Sequence, residues 1–157
     1  MKLEPRPENN CYGCGGANTR GMKLVFEQDD ARKRIVGRFT MGLSYEGAGG
    51  FLHGGVIAVL FDEAMGKVNR FRGAHAVTAQ LSVDYLKPIR CDQEIVIEAW
   101  ETDAKGRNLF HESEIRDQAG QLLARSKGRF VMIGERQPHD AQKEDPQKEL
   151  EAVRDPK

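Results

Sequence analysis

A chain of 157 residues that is 39% hydrophobic and shows no internal repeat argues for one domain with a substantial core. Its 24 Lys and Arg balance 24 Asp and Glu, so no nucleic acid and no anionic membrane surface is expected as a partner. The longest purely apolar run, Val56 to Phe61, falls far short of a membrane span.

The opening MKLEPRPENN lacks the apolar stretch of a secretory signal, and a cytoplasmic chain is expected. Residues 1–21 read as an amino-terminal lead. Within it Cys11-Tyr-Gly-Cys14 has the spacing of a zinc knuckle, yet a structural zinc site needs four ligands, and no second Cys pair or His pair follows at a suitable distance. With Cys91 the cysteines number three, which makes no disulfide framework. The expected role of the pair is a turn packed against a sheet, with no metal. A site completed by Cys91 or by a second copy of the chain is the alternative.

Residues 22–28, MKLVFEQ, and 32–40, RKRIVGRFT, alternate apolar and polar positions around Asp29-Asp30-Ala31, which predicts two strands joined by a tight hairpin. The stretch GGFLHGGVIAVLFDEAMG, residues 49–66, is glycine-rich as far as Gly55. It and the residues just beyond are then apolar at Ile57, Leu60, Phe61, Ala64, Met65 and Val68, the spacing of a helix face. Val56, Ala58 and Val59 make the first two turns apolar almost all round, the mark of a buried helix.

After Gly73 come AVTAQLSVDYLKPI, QEIVIEAWETD, RNLFHESEIRD and QLLARSKGRFVMIG, separated by turn signals at Lys87-Pro88, Lys105-Gly106 and Gln118-Ala119-Gly120. These read as four strands in series. One central helix followed by a long antiparallel meander predicts an α+β domain over residues 22–134, its helix on the concave face of a curved sheet. From 135 to 157 the only apolar residues are Ala141, Leu150, Ala152 and Val153, so this tail is expected to be disordered or a frayed helix. Its seven acids and five bases leave residues 1–134 weakly basic, at +2.

The glycines before the helix permit close approach of a ligand to the first amides, at Gly54 and Gly55. These amides have no intrahelical acceptor, and the helix dipole adds about half a positive charge there. An oxygen acquiring negative charge would be stabilised at this point; the other reading of the glycines is a sharp turn and close packing only. Asp62 lies eight residues further on, about 12 Å away at the helical rise, too far to serve the same reacting carbon within one chain. A catalytic reading therefore requires Asp62 from a second copy and predicts a symmetric dimer with two composite sites. In a subunit cleft its carboxylate would activate a water or attack a carbonyl itself. Glu63 is expected at the surface, in an i, i+4 ion pair with Lys67.

Two stretches, HGGVIAVLFDEAMG with Asp62 nine positions after His53 and the later TAQLSVDYLKP, resemble hot-dog-fold acyl-CoA thioesterases of the PaaI type, from phenylacetate metabolism. CYGCGGANTRGMKLVF is similar to the amino-terminal lead of many bacterial members. The resemblance implies a hot-dog fold, a helix wrapped by an antiparallel sheet, paired as a homodimer and in many members doubled to a tetramer. It implies that the Gly54 amide polarises the thioester carbonyl, that Asp62 of the other subunit serves as base or nucleophile, and that Thr78, sixteen positions after it, helps hold the water. His53 would either hold its loop or touch the thioester.

Several members carry a polar side chain, often Asn, about six residues before that histidine. Here Gly47 stands in its place, with Glu46 beside it, so Glu46 is a candidate substitute. By the same resemblance Gly55 and Tyr85 would border the substrate, with the turn from Asp103 to Asn108, and Arg107, Lys87 and Arg90 are candidates for the CoA phosphates. No cofactor is implied, since CoA belongs to the substrate. Hydrolysis of medium-chain or aryl acyl-CoA is the expected activity; a non-catalytic acyl-CoA or lipid-binding hot-dog protein is the alternative, motivated by Gly47. Pocket depth would depend on Phe51, Met65, Phe71 and Trp100.

Overall fold

The computed structural model describes residues 1–135, so the expected tail lies outside the described residues apart from Glu135, which ends the last strand. Helix α1 runs from Gly54 to Val68 and buries the six apolar residues that its spacing singles out, Ile57, Leu60, Phe61, Ala64, Met65 and Val68. Removing a Leu, Ile, Val, Phe or Met side chain of this kind from water stabilises the fold by about 1.5–3 kcal/mol each. The stripe explains why the helix sits inside the molecule. Its other flank, with Val56, Ala58 and Val59, is only half-buried.

Seven antiparallel strands curve round it: β1 (Lys2–Leu3), β2 (Phe26–Asp29), β3 (Arg34–Thr40), β4 (Ala74–Tyr85), β5 (Glu94–Lys105), β6 (Asn108–Asp117) and β7 (Leu122–Glu135). This is the expected hot-dog arrangement. In β5 the alternation of period two turns Ile95, Ile97 and Ala99 toward the core, and in β6 Leu109, His111, Ser113 and Ile115 are the buried set. Trp100 belongs to the opposite face of β5, where the Arg34 guanidinium lies 4.1 Å from its ring centroid. Met65 is wholly buried in the core.

Two elements depart from the expected order. The first strand of the hairpin begins only at Phe26, because Met22 and Leu24 donate their amides to Tyr12 and Gly13 of the lead instead of to a neighbouring strand. The last four strands are not a simple meander either: the sheet order is β1-β2-β3-β5-β6-β7-β4. Only β5, β6 and β7 run as neighbours. The chain leaves β3, crosses the sheet as α1 and returns as β4 on the far edge beyond β7, so the buried helix itself is the crossover. The β5–β6 turn is the expected one, with Gly106 at φ +58° in the left-handed region that a two-residue hairpin favours.

One buried polar pair carries a stability prediction. His111 is 1% exposed and its Nε2 lies 2.8 Å from Asn69 Oδ1, while the Asn69 amide group donates to the Gly66 carbonyl. That fixes the imidazole proton on Nε2 and leaves Nδ1 buried without a partner among the described residues. Burial lowers the His111 pKa from 6.5 to about 4. The unfolded chain thus takes up the proton first, so stability is complete above pH ~6.5 and falls as the pH drops toward about 4, by a total of about 3 kcal/mol. Denaturant midpoints measured across this range should show the loss, and His111→Gln, which keeps a donor for Asn69 but does not titrate, should flatten it.

Candidate functional site

Helix α1 starts at Gly54 because His53 caps it. His53 is extended (φ −63°, ψ 134°), and its Nδ1 accepts from the Gly55 amide at 2.9 Å; the His53 carbonyl then accepts from Val56 and Ile57. Of the two readings of His53, this is the one that holds the loop. It also corrects the expectation for Gly55, whose amide is occupied by the cap and is not available to a ligand. The Gly54 amide has no acceptor among the described residues, and it stands at the positive end of the helix. Tyr85, at the end of β4, reaches back and donates its hydroxyl to the Gly54 carbonyl at 2.8 Å. Its ring lies so close that a Cβ on Gly54 would meet it at 3.5 Å, ordinary contact.

Two turns further along, Asp62 leaves the helix toward the start of β4. Thr78 donates its hydroxyl to Asp62 Oδ1 at 2.6 Å, so the two residues sixteen apart in sequence are joined directly. Both line an open groove of about 810 Å³ together with Val77, Gly66 and Phe130. Gly54 and Tyr85 do not line it. A single chain thus separates the acid from the free amide, as the helical rise requires.

The loop before α1 treats Glu46 differently from the expectation. Its carboxylate accepts from the Gly50 amide in a short hydrogen bond, and its backbone bridges to Leu52, so Glu46 closes its own loop. Gly47 is needed for close packing: a Cβ there would lie 2.8 Å from the His53 Cα. A side chain at position 47 would thus run into the capping histidine.

The three phosphate candidates do not cluster within one chain. Arg107, in the β5–β6 turn, donates from Nε to the Met132 carbonyl at 2.9 Å, and Asn108 accepts from Arg129 at 3.1 Å. Val131 pairs with both Asn108 and Val77, so this turn stands near the Asp62 and Thr78 end of β4. Lys87 and Arg90 are exposed beyond the other end, where the Arg90 backbone bridges to Phe51.

Beside Asp62, Glu63 takes the Lys67 ion pair that its spacing predicts, at 2.8 Å, but not at the surface: the two side chains are only 14% and 15% exposed. The reason lies in the lead, which covers them. Cys11 donates its thiol to Glu63 Oε1 at 3.0 Å, so the Cys11–Cys14 turn packs on α1 and not on the sheet. Burial pushes the Glu63 carboxyl upward, but the Lys67 charge and the thiol hydrogen bonds outweigh it and hold its pKa below the ordinary value. Nothing in the sequence spacing links residue 63 to residue 11. Cys91 lies apart, its amide on the Gly50 carbonyl.

Residues 49–124, which contain Gly54, Asp62 and Thr78, match the thioesterase superfamily model. Among curated proteins the chain is similar to acyl-coenzyme A thioesterase THEM4 of Rattus norvegicus, 37% identical over 90 residues that make up 57% of this chain and 39% of that protein. The chain spans less than half the length of the THEM4 relatives it matches. Among solved structures, a thioesterase superfamily protein, RHA08564, superposes with a TM-score of 0.72 at 29% identity, over 78% of this chain and 60% of that one. A hypothetical thioesterase of Streptococcus pneumoniae TIGR4, solved with coenzyme A, superposes at 0.66 with 23% identity, over 71% of this chain and 88% of that one. No helix among the described residues is long and apolar enough to cross a membrane.

Proposed function

We propose that the chain hydrolyses acyl-CoA thioesters to the free acid and CoA, a reading supported by the match of residues 49–124 to the thioesterase superfamily model. The observation that carries this reading is the Asp62–Thr78 hydrogen bond on the wall of an open groove, with the unpartnered Gly54 amide at the other end of the same helix. Acyl-CoA as substrate is supported by the THEM4 relatives and by the coenzyme A bound in the Streptococcus pneumoniae structure.

The two halves of the site come from two chains. Strand β4 is twelve residues long and exposed along most of its length, and among the described residues it pairs with β7 alone. An edge of this length is a template for a second strand. Two copies joined antiparallel along β4 set the Tyr85 end of each against the Thr78 end of the other, which carries Gly54 of one chain toward Asp62 of its mate. The exposed Val77, Tyr85 and Leu86 become part of that contact. The same pairing brings Lys87 and Arg90 of one chain to the side of Arg107 of the other, so that phosphate candidates divided in the monomer converge in the dimer.

In this arrangement the Gly54 amide and the helix dipole stabilise the oxygen of the thioester carbonyl as it becomes negative. Thr78 holds Asp62 Oδ1, leaving Oδ2 to take a proton from the attacking water or to attack the carbonyl itself. The tetrahedral species then collapses and expels the CoA thiolate: after attack by water this leaves the free acid and the thiolate takes up the proton held by Asp62, and after attack by Asp62 it leaves a mixed anhydride that water hydrolyses to the acid. Medium-chain and aryl acyl groups are the class proposed.

A kinetic screen over acetyl, medium-chain, long-chain and aryl acyl-CoA tests this, reading CoA release. Turnover concentrated in the medium-chain or aryl members is expected. Tight CoA binding with no turnover of any member would overturn hydrolysis in favour of an acyl-CoA-binding role.

A further inference from the structure

We propose that Cys11, Cys14 and Glu63 form a binding site for one thiophilic divalent cation of the zinc class, which fastens the amino-terminal lead to α1 beside Asp62. The two thiol sulfurs and a Glu63 carboxylate oxygen all lie within 4.8 Å of one another. Tetrahedral coordination with Zn–S near 2.3 Å brings two sulfurs to about 3.8 Å, within reach of small side-chain rotations from this spread. Two thiolates and one carboxylate are a donor set suited to zinc, and a water completes four-coordination.

The surroundings are arranged for it. Glu63 has its two oxygens divided: Oε1 faces the Cys11 thiol at 3.0 Å, while Oε2 is held by Lys67 at 2.8 Å. An outer hydrogen bond of that kind fixes the orientation of a ligating carboxylate. Two thiolates, the carboxylate, the Lys67 ammonium and a divalent cation sum to zero charge, so the half-buried cluster is balanced when filled.

The turn also packs closely on the carboxylate. At Gly13 a Cβ would lie 2.4 Å from the Glu63 side chain, so glycine lets the turn close over the carboxylate without displacing it. The turn is stiffened by Asn9 Oδ1 on the Cys11 amide at 2.7 Å and by the Gly15 amide on the Cys11 carbonyl at 2.9 Å. The lead thus presents both sulfurs from a braced loop to a carboxylate one residue past Asp62.

The test uses the full chain, reduced and stripped with chelator, titrated with Co²⁺ as the optical probe and then with Zn²⁺. One Co²⁺ per chain is expected, with thiolate-to-metal charge-transfer absorption and the visible bands of a tetrahedral ion, displaced by Zn²⁺. Cys11→Ser and Cys14→Ser should abolish the charge-transfer band, Cys91→Ser should leave it, and Glu63→Gln, which replaces a ligating carboxylate by a neutral amide, should weaken binding at least as much as the about 10- to 100-fold typical of losing an outer hydrogen-bond partner. If the serine variants do not fold, alkylation mapped on the intact chain decides. Zn²⁺ must then protect Cys11 and Cys14 and leave the rate at Cys91 unchanged. Absence of a thiolate band with no such protection, or a band that survives both serine substitutions, would overturn the proposal.

Discussion

Asp62→Ala is expected to lower acyl-CoA hydrolysis by about 10²- to 10⁴-fold, the range for loss of a positioned general base. The side chain is only partly buried and its one hydrogen-bond partner among the described residues is the exposed Thr78 hydroxyl, which water can satisfy, so the fold should be unharmed. The melting temperature should therefore stay close to that of the parent while kcat collapses. Asp62→Asn, which keeps the shape and the acceptor for Thr78, should be nearly as damaging, because an amide neither accepts a proton from water nor attacks a carbonyl. Thr78→Ala should cost less, since it removes an orienting hydrogen bond and leaves the carboxylate in place. Unchanged rates in the two Asp62 variants would remove this residue from the chemistry.

The second large effect is expected at Gly54, where the helix start permits an unusually clean substitution. Gly54→Pro deletes the amide proton and little else. Position 54 is the first residue of α1, where proline is tolerated because its missing N–H has no intrahelical acceptor, and the extended His53 before it suits a following proline. The added Cβ meets the Tyr85 ring at ordinary contact distance. Loss of one oxyanion donor lowers kcat by about 10²- to 10³-fold. Gly54→Ala, which retains the amide, should stay near the parent rate, so the pair separates the hydrogen bond from the added bulk.

Together the two variants test where the site is built. If Gly54 of one chain works with Asp62 of its mate, a dimer containing one Gly54→Pro chain and one Asp62→Ala chain has one doubly damaged site and one intact site. Refolding the two inactive variants together should restore about a quarter of the parent activity, since half of randomly paired dimers are mixed and each holds one working site. A mixture that stays inactive would show that the halves do not combine in this way.

Much of the helix was legible in advance because its signal is local. Ile57, Leu60, Phe61, Ala64, Met65 and Val68 repeat at helical spacing, and the residues so marked are the ones the fold buries. Thr78 was marked by resemblance to a family, and its hydrogen bond to Asp62 joins a helix to the strand that follows it. The hydrogen bonds of Gly55 and Glu46 were not legible for one common reason. Each lies in a loop, and whether an amide or a carboxylate in a loop is free depends on which neighbour folds back to meet it. His53 takes the Gly55 amide, and the Gly50 amide takes Glu46.

The placement of β4 was hidden for a related reason. Alternation identifies a strand but says nothing of which edge it joins, and only the passage of α1 across the sheet carries β4 past β7. The amino-acid sequence by itself determined the periodic elements, the separation of Gly54 from Asp62 along one helix, and hence the need for a second chain if both serve one substrate. Those follow from residue spacing and the fixed rise of a helix. The tertiary structure alone decided which strand lies at each edge of the sheet among the described residues. It alone brought Cys11 and Cys14 to Glu63, because contacts between residues fifty positions apart are set by how the chain packs and leave no periodic trace in its order.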